Sequence, residues 1–138
     1  MHKGMTMTML VSALMTTPVT TVRADDTAAV VTEALQQCHL SFVPVIDSPH
    51  GHLLGIINAS DILHFKAAGM DFKTVKAWQM CAYKPLAVEV DMAAVEVARL
   101  MVEHQVHHVV VMKDRELVGI VSSLDFVRQY IAQGNDQG

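Results

Sequence analysis

The stretch Leu117–Phe126, Leu-Val-Gly-Ile-Val-Ser-Ser-Leu-Asp-Phe, reads as a short apolar strand that runs straight into a helix. Gly119 marks a point where backbone approaches backbone or must bend. Ile120 and Val121 are β-branched and suit a buried strand. Ser122 stands three residues before Asp125, the spacing of a capping box at a helix start. The same junction occurs earlier as Leu53–Ile62, Leu-Leu-Gly-Ile-Ile-Asn-Ala-Ser-Asp-Ile. Gly55 and Asp61 lie 64 residues before Gly119 and Asp125 (119 − 55 and 125 − 61). A fixed offset shared by a strand-to-helix junction signals duplication, so the chain folds as two copies of one unit.

Each copy carries the same series of signals. Val11–Met15 reads as a helical lead-in turn closed by Pro18, and Val19–Val22 as a short strand. Asp25-Asp26-Thr27 starts a helix with acidic residues at the positive end of its dipole, and that helix runs to about His39. Phe42–Asp47 and Leu53–Ile57 form a hairpin around Ser48-Pro49-His50-Gly51. Asp61–Ala68 is the closing helix, stopped by Gly69. In the second copy, Val75–Cys81 is the lead-in and Leu86–Val90 the first strand. Met92–Gln105 is a helix with apolar residues at i, i+3, i+4, i+7 and i+8. His108–Met112 and Leu117–Val121 pair around Lys113–Glu116, and Ser123–Ala132 closes the copy. The expected division is residues 1–70 for the first unit, 71–132 for the second and 133–138 for a flexible polar tail.

The fold class is therefore α+β, with two β-α-β-β-α repeats. A three-stranded sheet with two helices leaves one apolar sheet face uncovered. Packing the two sheets together about a pseudo-twofold axis would cover both and make one module. With 51% hydrophobic residues there is ample material for that core.

Several function classes are disfavoured. A net charge of −4 lacks the basic face that nucleic-acid binding needs. No apolar run approaches the ~20 residues of a membrane span. Met1–Leu14 faintly resembles a signal peptide, but Thr6, Thr8 and Ser12 break its apolar core. Cys38 and Cys81 show no repeated spacing, which suggests a reducing compartment and cytoplasmic location. The eight histidines include His104 and His108, four apart but with a helix end expected near Gln105. No Cys-x-x-Cys or His-Glu-x-x-His appears, so no metal site is expected. No nucleophile elbow, P-loop or dinucleotide fingerprint appears, so an enzyme is not expected.

Gly-aliphatic-aliphatic-Ser/Thr-x-x-Asp after a strand such as Pro44-Val45-Ile46-Asp47, repeated once, resembles the CBS domain pair, or Bateman module. The second copy has Val110-Val111-Met112-Lys113 before Gly119–Asp125. The likeness runs from about Val11 to Tyr130. It implies two clefts between the repeats, where ligands bind, and modules that pair again into a disc-like homodimer, parallel or antiparallel. It also implies a stand-alone sensor for AMP, ADP, ATP or S-adenosylmethionine, acting on a partner protein in trans and requiring no cofactor. Alternatives are a ligand-free dimerisation module or a metal or small-anion sensor.

The resemblance assigns residues as well. Ser122 and Asp125 would hold ribose hydroxyls or a phosphate, beyond capping their helix; Asp accepts from two adjacent hydroxyls at once. His107 or His108 would meet a phosphate, one pointing inward and one outward. Ala87 and Val88, with Val109 and Val110, would flank the base. In the first copy the equivalents are Asn58 and Asp61, then Thr20, Thr21, Phe42, Val43 and Pro44. Asn58 departs from the usual Ser or Thr, and Phe42 cannot neutralise a phosphate. The two clefts should thus be unequal, with that of Ser122, Asp125 and His108 the better anion site.

Overall fold

The computed structural model describes residues 8–47 and 51–137. It is a mixed α+β fold with two sheets, in two compact units: Thr20–Pro85, and Met1–Val19 with Leu86–Gly138.

In Thr20–Pro85 the order is β1 (Val22–Arg23), α1 (Ala28–Gln37), β2 (Phe42–Asp47), β3 (His52–Asn58), α2 (Ala59–Ala67), α3 (Ala77–Met80) and β4 (Ala82–Tyr83). The sheet order is β1-β2-β3-β4, with β1 parallel to β2 and the other pairs antiparallel. Thr27 caps α1 by accepting from the Val30 N–H at 3.3 Å. Ala28, Val31 and Leu35 then fall on one helix face. They pack with Val22, Val43, Val45 and Ile57 in one buried cluster.

The other unit holds β5 (Ala87–Glu89), α4 (Ala94–His104), β6 (His108–Lys113), β7 (Glu116–Ser122) and α5 (Ser123–Gln137). Its sheet order is β5-β6-β7, with β5 parallel to β6. Val97 and Met101 of α4 meet Val11, Val88, Val109, Val111 and Val121. Lys113 pairs with Glu116, so Asp114 and Arg115 form a two-residue turn with φ of 51° and 70°.

The two compact units exchange the lead-ins of the two sequence repeats. The lead-in of the first copy belongs with the strands of the second, and the reverse. Val11 N–H donates to the Met92 carbonyl (2.8 Å) and Ala94 N–H to the Met9 carbonyl (2.8 Å). Thr16 exchanges backbone hydrogen bonds with Ile120 at 2.9 and 3.2 Å. In the companion unit Ala28 N–H donates to Val75 and Ala77 N–H to Asp26, both at 2.8 Å. The bridges Leu10–Ala93 and Thr27–Lys76 are related by 66 residues (93 − 27 and 76 − 10). Each lead-in buries one residue completely in the core it joins, Val11 in one unit and Ala77 in the other.

Other boundaries moved too. β1 is Val22–Arg23 rather than Val19–Val22. β4 was not expected from the sequence; a two-residue strand has too few positions to show alternation. α5 continues to Gln137, past Ala132 into the segment expected to be a flexible tail. Gln is a good helix former and no proline interrupts the run. Ser48–His50 and the first seven residues, which carry part of the turn and leader expectations, lie outside the described residues.

Candidate ligand site at the strand-to-helix junctions

In the unit of β5–β7, alternation sorts the candidate residues onto two sheet faces. Val88 and Val109 belong to the helix-side core, at 3% and 0% exposure, so their side chains are committed to packing. His108 and Val110 take the opposite face of β6. His108 is half-buried and stands directly across from Ser122 in the β6–β7 register. Directly opposed residues of an antiparallel pair have Cβ atoms about 5 Å apart. Ala87 pairs with Val110 on the neighbouring strand and is exposed. One sheet face thus brings His108, Ser122 and Val110 to the start of α5.

His107 is exposed and turns toward α4 and α5, its ring edge-on to that of His108 with centroids 6.5 Å apart. Its side chain lines a cavity of about 430 Å³ with Val102 of α4 and Phe126 of α5. Its carbonyl accepts from the Ser123 N–H at 2.9 Å, satisfying a donor at the α5 N-terminus.

Asp125 folds back over that helix start. Its Oδ2 accepts from the Ser122 N–H at 2.7 Å and from the Ser122 hydroxyl at 3.3 Å. Its Oδ1 lies 3.4 Å from Nη1 of Arg128, one turn further on. The Asp125 side chain is 19% exposed, against 71% for Arg128. A carboxylate offers about four acceptor positions, so capacity remains for further donors. Arg128 was not singled out from the sequence. Its signal was the i, i+3 spacing from Asp125.

The unit of β1–β4 repeats the construction with different side chains. Asn58 Oδ1 accepts from the Asp61 N–H and Asp61 Oδ2 from the Asn58 N–H, both at 2.9 Å, a reciprocal capping box. Ser41 replaces His107 as the carbonyl acceptor, taking the Ala59 N–H at 3.0 Å. Phe42, 1% exposed, stands opposite Asn58 where the other unit has His108 opposite Ser122. Pro44 is fully buried on the same face as Phe42, while Val43 joins the helix-side core. Thr20 and Thr21 are half-buried just before β1, and the Thr20 hydroxyl is 3.8 Å from Cys38 Sγ.

Beside this junction lies a group that sequence reasoning missed. Tyr83 donates its hydroxyl to the Trp78 carbonyl at 2.5 Å, and Cys81 Sγ lies 3.8 Å from the same oxygen. Burial pushes the Cys81 thiol up from its ordinary 9.0; the hydrogen bond to Tyr83 opposes the rise and the Asp61 carboxylate adds to it. A raised folded value favours the protonated thiol in the folded state. This contribution is complete below 9.0 and is lost as pH climbs through the raised value. The melting temperature of the wild type should therefore fall more steeply than that of Cys81→Ala above about pH 9. A thiol reagent at about pH 8 should titrate exposed Cys38 in the folded protein and reach Cys81 only after denaturation. Rapid reaction of both thiols in the folded protein would contradict this.

Among the described residues, no group of three or more His, Cys, Asp or Glu could hold a metal ion. No helix among them is long and apolar enough to cross a membrane.

Each junction is thus a helix start closed by an Asp, Asp61 or Asp125, that accepts from the backbone N–H three residues before it. The sequence matches the CBS domain over residues 11–68 and 77–132, and the chain belongs to the CBS domain family. It is 30% identical over 88 residues to the uncharacterized protein YlbB of Bacillus subtilis (strain 168), covering 64% of this chain and 60% of YlbB, less than two thirds of that relative. The fold is similar to that of Hypoxic Response Protein I with two coordinated zinc ions, with 26% identity, a TM-score of 0.74, and coverage of 86% of this chain and 97% of that one. It is also similar to the CBS domain pair of MJ0100, in complex with 5′-methylthioadenosine and S-adenosyl-L-methionine. There the identity is 25% and the TM-score 0.79, over 88% of this chain and 98% of that one. CBS domain pairs are regulatory modules, and some bind adenosine compounds.

Proposed function

We propose that this chain is a non-catalytic, homodimeric sensor that binds an adenosine-containing compound and signals to a partner protein in trans. The observation that carries the reading is the Ser122–Asp125 junction: a mostly buried carboxylate at a helix start, beside Arg128, with Ser122 directly across from His108. Asp125 would accept from the two ribose hydroxyls, using acceptor positions beyond those its own cap occupies. His108 and Arg128 would supply N–H donors to a phosphate, with help from the helix N-terminus. Exposed Ala87 would flank the base; Val110, across from it on β6, is fully buried. The adenosine compounds bound by the MJ0100 domain pair support this ligand class.

The companion junction of Asn58 and Asp61 would take a second, weaker ligand. Phe42 stands where the phosphate donor would be needed, so an uncharged or cationic adenosine compound such as S-adenosylmethionine suits it better than AMP. Two free cysteines suit a cytoplasmic, reducing setting.

Isothermal calorimetry against AMP, ADP, ATP, adenosine, 5′-methylthioadenosine and S-adenosylmethionine tests the reading. Saturable heat for at least one is expected, with the phosphorylated compounds favouring the Asp125 junction. No heat for any at millimolar ligand would leave the ligand-free dimerisation module as the better account.

A further inference from the structure

The two junctions differ in how much of each carboxylate is already taken. Asp125 receives three donors: on Oδ2 the Ser122 N–H at 2.7 Å and the Ser122 hydroxyl at 3.3 Å, and on Oδ1 the Arg128 Nη1 at 3.4 Å. A carboxylate offers about four acceptor positions, so roughly one is left. A ribose diol brings two donors, so one of the three must give way. Arg128 makes the longest of these contacts and is the only donor on a largely exposed side chain, at 71%. Its contact is well beyond the ~2.8 Å usual for a charge-assisted bond. Asp61 is less occupied. Among the described residues it accepts only from the Asn58 N–H. The place of Arg128 falls there to His64 (128 − 64), whose ring stands edge-on to Phe65 with centroids 5.5 Å apart.

We infer that Arg128 makes the Asp125 junction discriminate by ligand charge, holding one ribose acceptor closed until a phosphate draws it off. The inference rests on the adenosine-sensor reading above and names a specificity-determining residue within it. Arg128 lies one helical turn after Asp125, on the same helix face. Side-chain rotation alone can therefore carry its guanidinium from Oδ1 to an anion beside the helix start. The planar fork suits two phosphate oxygens at once. The exchange replaces one weak contact by a bidentate one and releases an acceptor position to the ribose. A compound without a phosphate offers no such exchange and competes with Arg128 for Asp125. The phosphate and ribose ends of one ligand are thus coupled at this junction. At the Asp61 junction there is no guanidinium to displace, and they act independently.

Calorimetry with AMP and adenosine on the full chain tests this, with melting temperatures to confirm that each variant folds. All proteins compared carry Asp61→Asn, which retains the cap and removes the companion carboxylate, so the heats report the Asp125 junction. Arg128→Gln should lose roughly tenfold or more in AMP affinity. It should gain about two- to fivefold for adenosine, what an exposed ion pair is worth. The opposite signs are the signature, because a merely structural role would lower both. Arg128→Lys should keep part of the AMP preference, as a point charge without the fork. Adenosine affinity that stood still or fell in Arg128→Gln would overturn the competition and leave the adenosine reading in place, as would a wild type that bound S-adenosylmethionine but not AMP. A wild-type chain that bound no adenosine compound would overturn both.

Discussion

Asp125→Ala is expected to weaken binding of the adenosine compound by roughly 10- to 150-fold, the equivalent of about 1.5–3 kcal/mol for hydrogen bonds to a charged acceptor. The same change removes the acceptor of the Ser122 N–H and a negative charge from the start of α5. It should lower stability by about 1 kcal/mol. Asp125→Asn separates the two effects. Its side-chain oxygen still caps Ser122, so the fold should hold, but one oxygen becomes a donor and cannot serve a ribose hydroxyl as acceptor. Affinity should therefore fall in Asn nearly as far as in Ala, while the melting temperature barely moves. His108→Ala should act on a different part of the ligand, lowering affinity for AMP while leaving adenosine nearly unchanged. Calorimetry on these three variants checks all of this. Wild-type affinity in Asp125→Asn would remove the carboxylate from the site.

Much of this arrangement was legible in the sequence because the repeat fixed it twice over. Gly55 and Asp61, with Gly119 and Asp125, set two strands and two helix starts before any packing was known, and the capping role of Asp61 and Asp125 follows from spacing alone. Alternation also ordered the histidines, sending His107 outward and His108 to the sheet face that carries Ser122. The signal failed where contacts are long-range. Nothing local to Val11 says that it joins the core of Val97, Val109 and Val121 rather than that of Val31 and Val43. Nothing local to Cys81-Ala82-Tyr83 says that two of these residues extend a sheet, because the evidence is their pairing with Gly55 and Ile56. Val88 and Val109 illustrate a further limit. Neighbourhood in chain order does not decide which sheet face a side chain takes, and both face the helices.

Gly55 and Gly119 look interchangeable in the repeat, and their responses to substitution should differ. A Cβ at Gly55 would fall on the carbonyl oxygen of Ala82, with the Ala82 carbonyl carbon and Cys81 Sγ each at 3.0 Å. That oxygen is backbone in β4, held by the antiparallel register of Gly55 with Tyr83 and Ile56 with Ala82. It cannot yield without parting β4 from β3. A Cβ at Gly119 meets Met15 instead: Sδ, then Cγ at 2.8 Å and Cβ at 3.0 Å. Rotation of the unbranched methionine can carry Sδ and Cγ aside, which leaves only the Cβ contact at 3.0 Å to be met by a small shift. Gly55→Ala should therefore destabilise the fold by about 3 kcal/mol or more, and Gly119→Ala by nearer 1 kcal/mol, within the range for overpacked sites. Met15→Ala should reduce the further cost of Gly119→Ala, giving a coupling of about 0.5 kcal/mol or more in a double-mutant cycle. Cys81→Ala should relieve little of the cost at Gly55, since the obstructing oxygen remains. Urea unfolding midpoints for the wild type, the four single variants and the two double variants measure these differences. If Gly55→Ala unfolded at the wild-type midpoint, the close approach of β4 to Gly55 would be wrong, and with it the lead-in exchange that places β4 on that sheet edge.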